Sequence, residues 1–397
     1  MTIDDESATP NMAQSERGLT HAGKVEMSFG NSWMLTQGLG RFASRLLKGM
    51  ALIVCLSLWS LPAQALPPGN PIVNPEALLR YSLPIDNPDV RKLQSSLEDI
   101  TTQLRANRRW GAVVSDVKQA YRILNDRPTQ LLASIPDDKK PQAEAFIEKL
   151  KTGVEQLQIS AEAKDKEQTR SQRADLLTLV SRLEELMVQK FPYEVPEEYS
   201  NLPQLKGRAT VTAKTNQGDL TIVLDGFSAP VTAGNFADLV QRGFYDGLQF
   251  TRAEDSYVLQ IGDPPGADVG FVDPATKKYR SVPLEILVKG DKEPLYGITL
   301  EDAGRYLDQP VLPFSAYGAL AMARPGEDPN GGSSQFFFFL FEPELTPAGL
   351  NLLDGRYAIF GFVTSGRDVL EKLKAGDTIE SMKVIDGLDN LVEPKAA

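Results

Sequence analysis

The chain has 397 residues, 42% hydrophobic and 24% charged, which is typical of an ordinary globular composition and of two or three domains. Its net charge of -11 at pH 7 argues against nucleic acid as a partner. The acidity belongs to the C-terminal half: residues 76–190 carry 19 Lys and Arg against 18 Asp and Glu, whereas residues 191–397 carry 18 against 30.

Residues 1–65 are predicted to be an extension and a cleaved export signal, outside the fold. Basic residues precede an apolar run from Met50 to Trp59, and Ala63-Gln64-Ala65 fits the small-x-small pattern of a cleavage site. A membrane anchor is the alternative, but the run falls short of the ~20 residues that a spanning helix needs. No twin-arginine pair precedes the run, which favours the general secretory route.

The single histidine, His21, and the single cysteine, Cys55, both precede the predicted cleavage site. The exported chain would contain neither, which excludes Ser-His-Asp and Cys-His catalysis, disulfides, and zinc sites with nitrogen or sulfur ligands. We expect no metal and no cofactor. The chemistry must then come from Arg, Asp, Glu, Tyr, Ser or backbone groups.

Residues 66–86 are predicted to be a linker, because their first ten are uncharged and rich in Pro and Asn, and residues 87–190 a helical bundle. Asn87 and Pro88 are typical of a helix N-cap and first helical residue. Four apolar sets with spacings of three and four favour an antiparallel bundle, with a short dimerising coiled coil as the alternative. The sets are Val90, Leu93, Leu97, Ile100 and Leu104; Trp110, Val113, Val117, Ala120 and Leu124; Phe146, Leu150, Val154, Leu157 and Ala161; and Leu176, Leu179, Leu183 and Leu186.

The proline-rich residues 191–204 are predicted to be a stiff connector to a second domain, residues 205–397. Apolar residues then alternate along 209–215 and 219–224, on either side of the turn Asn216-Gln217-Gly218, which predicts a β-hairpin. Short strands and Gly-rich turns continue to the end of the chain. This pattern favours a closed β-barrel with one or two covering helices.

Two stretches of the second half, 250–263 and 331–340, each place a long polar side chain among apolar ones, as in two walls of a peptide groove. With 229–236, 243–250, 318–324 and 353–361 in the same order, they resemble the cyclophilins, the peptidyl-prolyl cis-trans isomerases. The long segment 263–312 and the preceding helical domain are similar to the large thylakoid-lumen cyclophilins of cyanobacteria and plants. The resemblance implies a cyclophilin-like barrel and a thylakoid-lumen or periplasmic location.

The implied reaction needs no acid or base. An X-Pro bond isomerises in tens to hundreds of seconds because amide resonance holds it planar. A fixed donor that stabilises the twisted bond lowers this barrier, and a rate factor of ~10^5 would need about 7 kcal/mol. An arginine in an apolar groove supplies part of that energy electrostatically.

The resemblance makes Arg252 the catalytic residue, where the alternative is a surface arginine on a strand edge. It gives Gln260, Gln335 and the backbone of Arg324 to substrate binding, and it makes Phe337 the floor of the proline pocket. It also places Gln335 near Arg252, and the alternative for Gln260 is a polar residue in the barrel interior. The other phenylalanines of 336–339 are predicted to be barrel core. The remaining predicted pocket residues, of which all but the two tyrosines could equally be ordinary core, are Tyr257, Val258, Met322, Ala323, Leu353 and Tyr357.

Departures from the family pattern at Thr251, Tyr257, Leu352 and Tyr357 imply a weak or substrate-restricted isomerase. We therefore expect an exported enzyme that binds proline-containing segments of client proteins, with membrane contact only peripheral. The alternative is a non-catalytic assembly chaperone or scaffold for a thylakoid membrane complex such as photosystem II. In that case the barrel is a peptide-binding module and the bundle docks to the complex.

Overall fold

The computed structural model describes residues 72–105, 109–254, 257–341 and 351–394. The predicted export signal, the extension before it and the first residues of the predicted linker lie outside the described residues. Within these ranges, no helix is both long enough and apolar enough to cross a bilayer.

The N-terminal part is the predicted helical bundle. Its apolar faces pack against one another within the chain, so the surfaces that a coiled-coil dimer would use are already buried. A short helix begins at Pro128, which is its first helical residue. The helices are α1 (Pro75–Ser82), α2 (Pro88–Arg105), α3 (Trp110–Asp126), α4 (Pro128–Leu132), α5 (Lys140–Glu162) and α6 (Lys166–Met187).

Local chemistry sets the helix starts and faces. Asn87 caps α2 as predicted, because its side chain accepts a hydrogen bond from the Val90 amide at 3.1 Å. In α6 the buried stripe lies one position beyond part of the predicted set. Leu179 and Leu186 are half-buried, whereas Val180 and Met187 are buried.

The prediction of a linker over 66–86 is wrong for Pro75–Ser82, which form α1. Asn74 accepts a hydrogen bond from the Ala77 amide at 2.8 Å, and Pro75 is the first helical residue. The same Asn-Pro pair starts α2, so the signal was present in the sequence. The helix is stable because Leu78 and Leu79 are buried against the barrel, which no local pattern reveals.

The C-terminal part is the predicted β-barrel. Its eight-stranded antiparallel sheet has the order β11-β2-β3-β10-β8-β9-β5-β4. Hydrogen bonds between the segments beside the two edge strands close it: Phe250 N to Asp377 O at 2.9 Å and Ile379 N to Leu248 O at 3.0 Å. The strands are β1 (Gln204–Leu205), β2 (Arg208–Thr215), β3 (Gly218–Asp225), β4 (Arg252–Glu254), β5 (Val258–Ile261), β6 (Glu285–Ile286), β7 (Leu295–Tyr296), β8 (Ala319–Met322), β9 (Phe336–Phe339), β10 (Ile359–Ser365), β11 (Ile379–Asp386) and β12 (Leu391–Val392).

The barrel has an inner core and an apolar layer on its outer face, separated by strand alternation. Phe336 and Phe338 point inward, where α7 (Pro230–Gln241) is buried with them. Phe337 and Phe339 point outward and belong to the same apolar cluster as Leu78 and Leu79 of α1. The short helix α8 (Arg367–Leu370) follows β10. The outer layer is where a groove can form, since the inner core is filled.

Arg208 joins the barrel to α1. Its guanidinium donates to the Leu79 carbonyl and to the Ser82 hydroxyl, and it pairs with the buried Asp225 at 3.4 Å. Ser82 also hydrogen-bonds to Asp225. Arg80 on the same helix pairs with Glu98 of the bundle at 2.9 Å. Helix α1 therefore contacts both the bundle and the barrel.

Candidate active site

A groove of about 350 Å³ lies on the outer face of the barrel. Four neighbouring strands bring its central residues into one cross-strand row: Arg252 is opposite Gln260, Gln260 is opposite Phe337, and Phe337 is opposite Ala321. Residues opposite each other in adjacent strands share a face of the sheet, so the row presents a cation, an amide and an aromatic ring side by side. The predicted residues that line the groove are Arg252, Tyr257, Val258, Gln260, Ala323, Arg324, Gln335, Phe337, Leu353 and Tyr357.

The groove floor is aromatic and rigid. Phe337 is 6% exposed, lies parallel to Phe314 with ring centroids 6.1 Å apart, and meets Tyr357 edge-on at 5.4 Å. Such ring pairs add about 0.5–1.5 kcal/mol beyond the area they bury. Packing therefore fixes the exposed part of Phe337 as a flat apolar surface. A proline ring fits a surface of this kind.

One wall of the groove is a fixed pair of amides. Gln260 donates from Nε2 to Oε1 of Gln335 at 2.7 Å, and Gln335 donates to Asp263 at 3.0 Å and to the Val269 carbonyl at 2.8 Å. Both donors of Gln335 are thus used. Gln260 keeps one N–H and its carbonyl oxygen, a donor and an acceptor that match a peptide backbone.

Arg252 lies at the groove edge and its side chain is 57% exposed. Its described partner is Glu254, whose Oε1 accepts from Nε at 2.8 Å and also from Nη2. The sequence predicted Gln335 close to Arg252, but Gln335 bonds to Gln260 and Asp263 instead. The Arg252 guanidinium is therefore paired with the Glu254 carboxylate in this structure.

Arg324 and Tyr357 form the opposite wall. The guanidinium of Arg324 lies 5.3 Å from the Tyr357 ring centroid and donates to the Arg356 carbonyl at 2.8 and 3.0 Å. Tyr257 lies further along the groove. Partial burial raises the pKa of its hydroxyl, and the nearby Tyr357 adds to this increase. The Tyr257 hydroxyl is therefore neutral near pH 7 and can donate or accept a hydrogen bond.

Met322 is the one predicted pocket residue that does not line the groove. It is 4% exposed and packs in the inner core, beside Leu320. The reason is strand alternation: Ala321 and Ala323 flank Met322 and face the outer side, so Met322 points inward. The prediction of Met322 as a pocket residue is therefore wrong, because the pleat of β8 directs its side chain into the barrel.

Several groove residues escaped the sequence reasoning. Val269 and Tyr279 come from the long segment 263–312, and Ser333 and Gly331 from the turn before β9. The segment carries no strand pattern near Val269, so nothing in the sequence placed it against the groove. Glu254 was detectable, because it lies two residues after Arg252 in a strand and so shares its face.

Glu285 anchors the long segment to the barrel. Its buried carboxylate accepts hydrogen bonds from the amides of Val231 and Thr232 at the start of α7, at 3.2 and 2.9 Å. Burial raises the pKa of Glu285 to about 7, against the lowering effect of these amides. Two backbone hydrogen bonds just upstream of Glu285 hold the turn before β9. The Val282 amide donates to the Gly332 carbonyl, and the Leu284 amide donates to the Pro329 carbonyl. Helix α7, the segment and the turn are therefore joined by hydrogen bonds.

No group of three or more His, Cys, Asp and Glu side chains in the described ranges is arranged to hold a metal ion. The groove combines three features: an apolar floor, an amide wall and a cation at the edge. Together these can hold an extended peptide and place a positive charge beside one of its carbonyl groups.

Comparison with known proteins decides the family. Residues 210–390 match the sequence model of the cyclophilin type peptidyl-prolyl cis-trans isomerases, and residues 74–188 match that of the CYP38-like, PsbQ-like domain. A Synechocystis protein named as a thylakoid lumen peptidyl-prolyl cis-trans isomerase is 56% identical over 88% of this chain and 93% of its own. The chain belongs to the cyclophilin-type peptidyl-prolyl cis-trans isomerases.

Other relatives share both parts of this cyclophilin. The chloroplastic isomerase CYP38 of Arabidopsis thaliana is 45% identical over 94% of this chain and 91% of its own, and CYP37 of the same plant 35% over 80% and 71%. A solved Cryptosporidium parvum cyclophilin, studied with the dipeptide Ala-Pro, is 24% identical, has a TM-score of 0.33, and covers 45% of this chain and 99% of its own.

The departures from the cyclophilin pattern lie around the groove rather than at its centre. Thr251 is exposed beside Arg252, and Leu352 is 87% exposed, so it does not close over the pocket. Tyr257 is 36% exposed and meets Phe339 edge-on at 6.0 Å. The cross-strand row of Arg252, Gln260 and Phe337 is intact, while the rim is more open and more polar than a closed apolar pocket.

Proposed function

We propose that this cyclophilin isomerises X-Pro bonds in segments of client proteins, with Arg252 as the catalytic residue, and acts in the thylakoid lumen or the periplasm. The proposal rests most on one observation: Arg252, Gln260 and Phe337 form a single cross-strand row on the groove. The proline ring lies on Phe337, and Gln260 pairs with the substrate backbone. Arg252 then donates to the twisting prolyl amide, an interaction that is stronger in the transition state than in the ground state.

The named locations of the relatives support the lumenal assignment, together with the export signal predicted within residues 1–65. The open rim at Leu352 and the exposed Arg252 favour a slow or substrate-restricted enzyme. Substrate clamping contributes less when the walls are apart, because orientation is a large part of the achievable rate.

A protease-coupled assay with a prolyl peptide tests the catalytic role. The protein and Arg252→Ala are compared with Arg170→Ala, which removes an equally exposed arginine from the bundle, itself paired with Glu167. We expect Arg252→Ala to lower kcat/KM at least ten-fold while Arg170→Ala retains the full rate. Equal rates for the protein and Arg252→Ala, both at the buffer level, would rule out catalysis at this site.

A second candidate function is that of a non-catalytic assembly chaperone, with photosystem II or another lumenal membrane complex as the client. The match of residues 74–188 to a PsbQ-like domain favours this role, as does the pairing of Arg252 with Glu254. The test is complementation of a strain that lacks the protein, using the full chain carrying Arg252→Ala. Complete rescue of complex assembly supports the scaffold, and loss of rescue supports the isomerase.

A further inference from the structure

We propose that Glu254 holds Arg252 in a resting position and makes this enzyme prefer prolyl peptides with a basic side chain close to the proline. The inference rests on the proposed role of Arg252. It concerns the selection of substrate by the same groove, through a residue that is neither floor nor amide wall.

The geometry of β4 carries the first step. Glu254 follows Arg252 by two residues, so both side chains stand on the same face of the strand, with Cα atoms roughly 7 Å apart. One carboxylate oxygen of Glu254 accepts from both Nε and Nη2 of Arg252. The two donors on that edge of the guanidinium are therefore unavailable to a peptide carbonyl.

The hydrogen bonds described above for the amide wall are made within the wall and to its neighbours, and none of these reaches Arg252. Gln260 donates to Gln335, and Gln335 spends its own two donors on Asp263 and Val269. Gln260 keeps its carbonyl oxygen, which can accept from a guanidinium that turns toward the groove. The Arg252 guanidinium thus has two positions. It pairs with Glu254 at the groove edge, or it donates to Gln260 and the substrate carbonyl inside the groove.

Charge balance gives the substrate preference. When Arg252 turns to the prolyl amide, Glu254 is left without its counter-ion at the rim. A lysine or arginine on the peptide, within about 7 Å of the proline carbonyl, can take its place and restore the pair. A neutral or acidic peptide cannot pair with Glu254, so its binding breaks the Arg252–Glu254 ion pair without replacing it.

The size of the effect follows from exposure. The side chains of Arg252 and Glu254 are 57% and 45% exposed, so the pair is screened by water and salt. Exposed pairs of this kind correspond to changes of about two- to five-fold. We therefore expect Glu254→Gln to raise kcat/KM on a neutral peptide by that factor.

The experiment compares the protein, Glu254→Gln and Arg252→Ala on a series of prolyl peptides. Each peptide carries alanine, lysine or glutamate at one of the two positions that flank the Ala-Pro unit. We expect the protein to prefer one lysine peptide over alanine by two- to five-fold, and Glu254→Gln to lose this preference while gaining rate on the alanine peptide. Salt at 0.5 M should shrink both effects. Glu371→Gln, which removes an exposed carboxylate paired with Arg367 outside the groove, is the matched control.

The outcomes separate this inference from the proposed function. If Arg252→Ala loses activity but Glu254→Gln matches the protein on every peptide, the isomerase stands and the role of Glu254 is refuted. A gain in Glu254→Gln with an unchanged lysine preference refutes the substrate selection and leaves only the resting position. If none of the three proteins exceeds the buffer rate, both the proposed function and this inference are wrong.

Discussion

Glu285→Gln should reduce the pH dependence of the stability of the barrel. The carboxylate is buried and accepts from Val231 N, Thr232 N and the Thr232 hydroxyl, so it caps α7 and fixes the segment that lines the groove. A glutamine can still accept from Thr232, but its NH2 group then faces the Val231 amide, another donor. Opposed donors in a buried site cost about 1–3 kcal/mol.

The sign of the pH effect follows from the burial of Glu285. Burial raises its pKa from the ordinary 4.5 to about 7 in the folded chain. Between these values the folded chain keeps a proton that the unfolded chain has lost, so stability is highest below pH 4.5 and falls as the pH rises through 7. The whole shift corresponds to roughly 3 kcal/mol, most of which is lost between pH 5 and pH 8.

Urea unfolding at pH 5 and pH 8 measures this directly. Glu285→Gln removes the titrating group, so the free energy of unfolding of the protein should fall by roughly 2–3 kcal/mol more than that of the variant between the two pH values. Glu293→Gln, an exposed carboxylate on the same segment, is the control and should behave like the protein. Parallel pH profiles for the protein and Glu285→Gln would refute the assignment of a buried, proton-binding carboxyl.

Further predictions concern Glu184 in the bundle, Arg208 between the barrel and α1, and the amide wall of the groove. Burial raises the pKa of Glu184 to about 8, against the pull of Arg91 at 3.2 Å, so Glu184→Gln should likewise flatten the loss of stability as the pH rises from 5 to 8, in the same urea assay. Arg208→Ala should cost about 3–5 kcal/mol of unfolding free energy because it leaves Asp225 buried without a cation, whereas the exposed Lys214→Ala should cost less than about 0.5 kcal/mol. Gln335→Leu should lower kcat/KM about ten-fold with little change in the urea midpoint, since it frees Gln260 while keeping the volume, and a normal rate would show that the amide wall is dispensable.

The sequence was most informative where periodicity and motif agree. Strand alternation, which is fixed once the strand is recognised, places Phe336 and Phe338 in the core and Phe337 in the groove, as predicted. Phe339 was also predicted to be barrel core, which is wrong, because it shares the outer face with Phe337. The same rule, applied to β8, would have turned Met322 inward. The bundle core followed from spacing alone, apart from a one-residue shift along α6 and the burial of Ile147 in place of Phe146 in α5.

What the sequence could not show depends on contacts distant along the chain. Helix α1 has a capping signal but is held by Leu78 and Leu79 against strands more than two hundred residues away. The position of Val269 in the groove depends on a backbone carbonyl that accepts from Gln335, and no side-chain pattern encodes it. The direction in which Arg252 points was equally hidden, because it depends on a competition between Glu254 and the amide wall.

The central claim is that this groove twists prolyl bonds through Arg252 rather than only binding them. Exchange NMR on a prolyl peptide in the presence of the protein or of Arg252→Ala separates the two, because resonance shifts report binding and exchange peaks report isomerisation. The account predicts that both proteins shift the peptide resonances and that only the unmodified protein accelerates cis-trans exchange. Equal acceleration by both, or shifts without any acceleration by either, would contradict it.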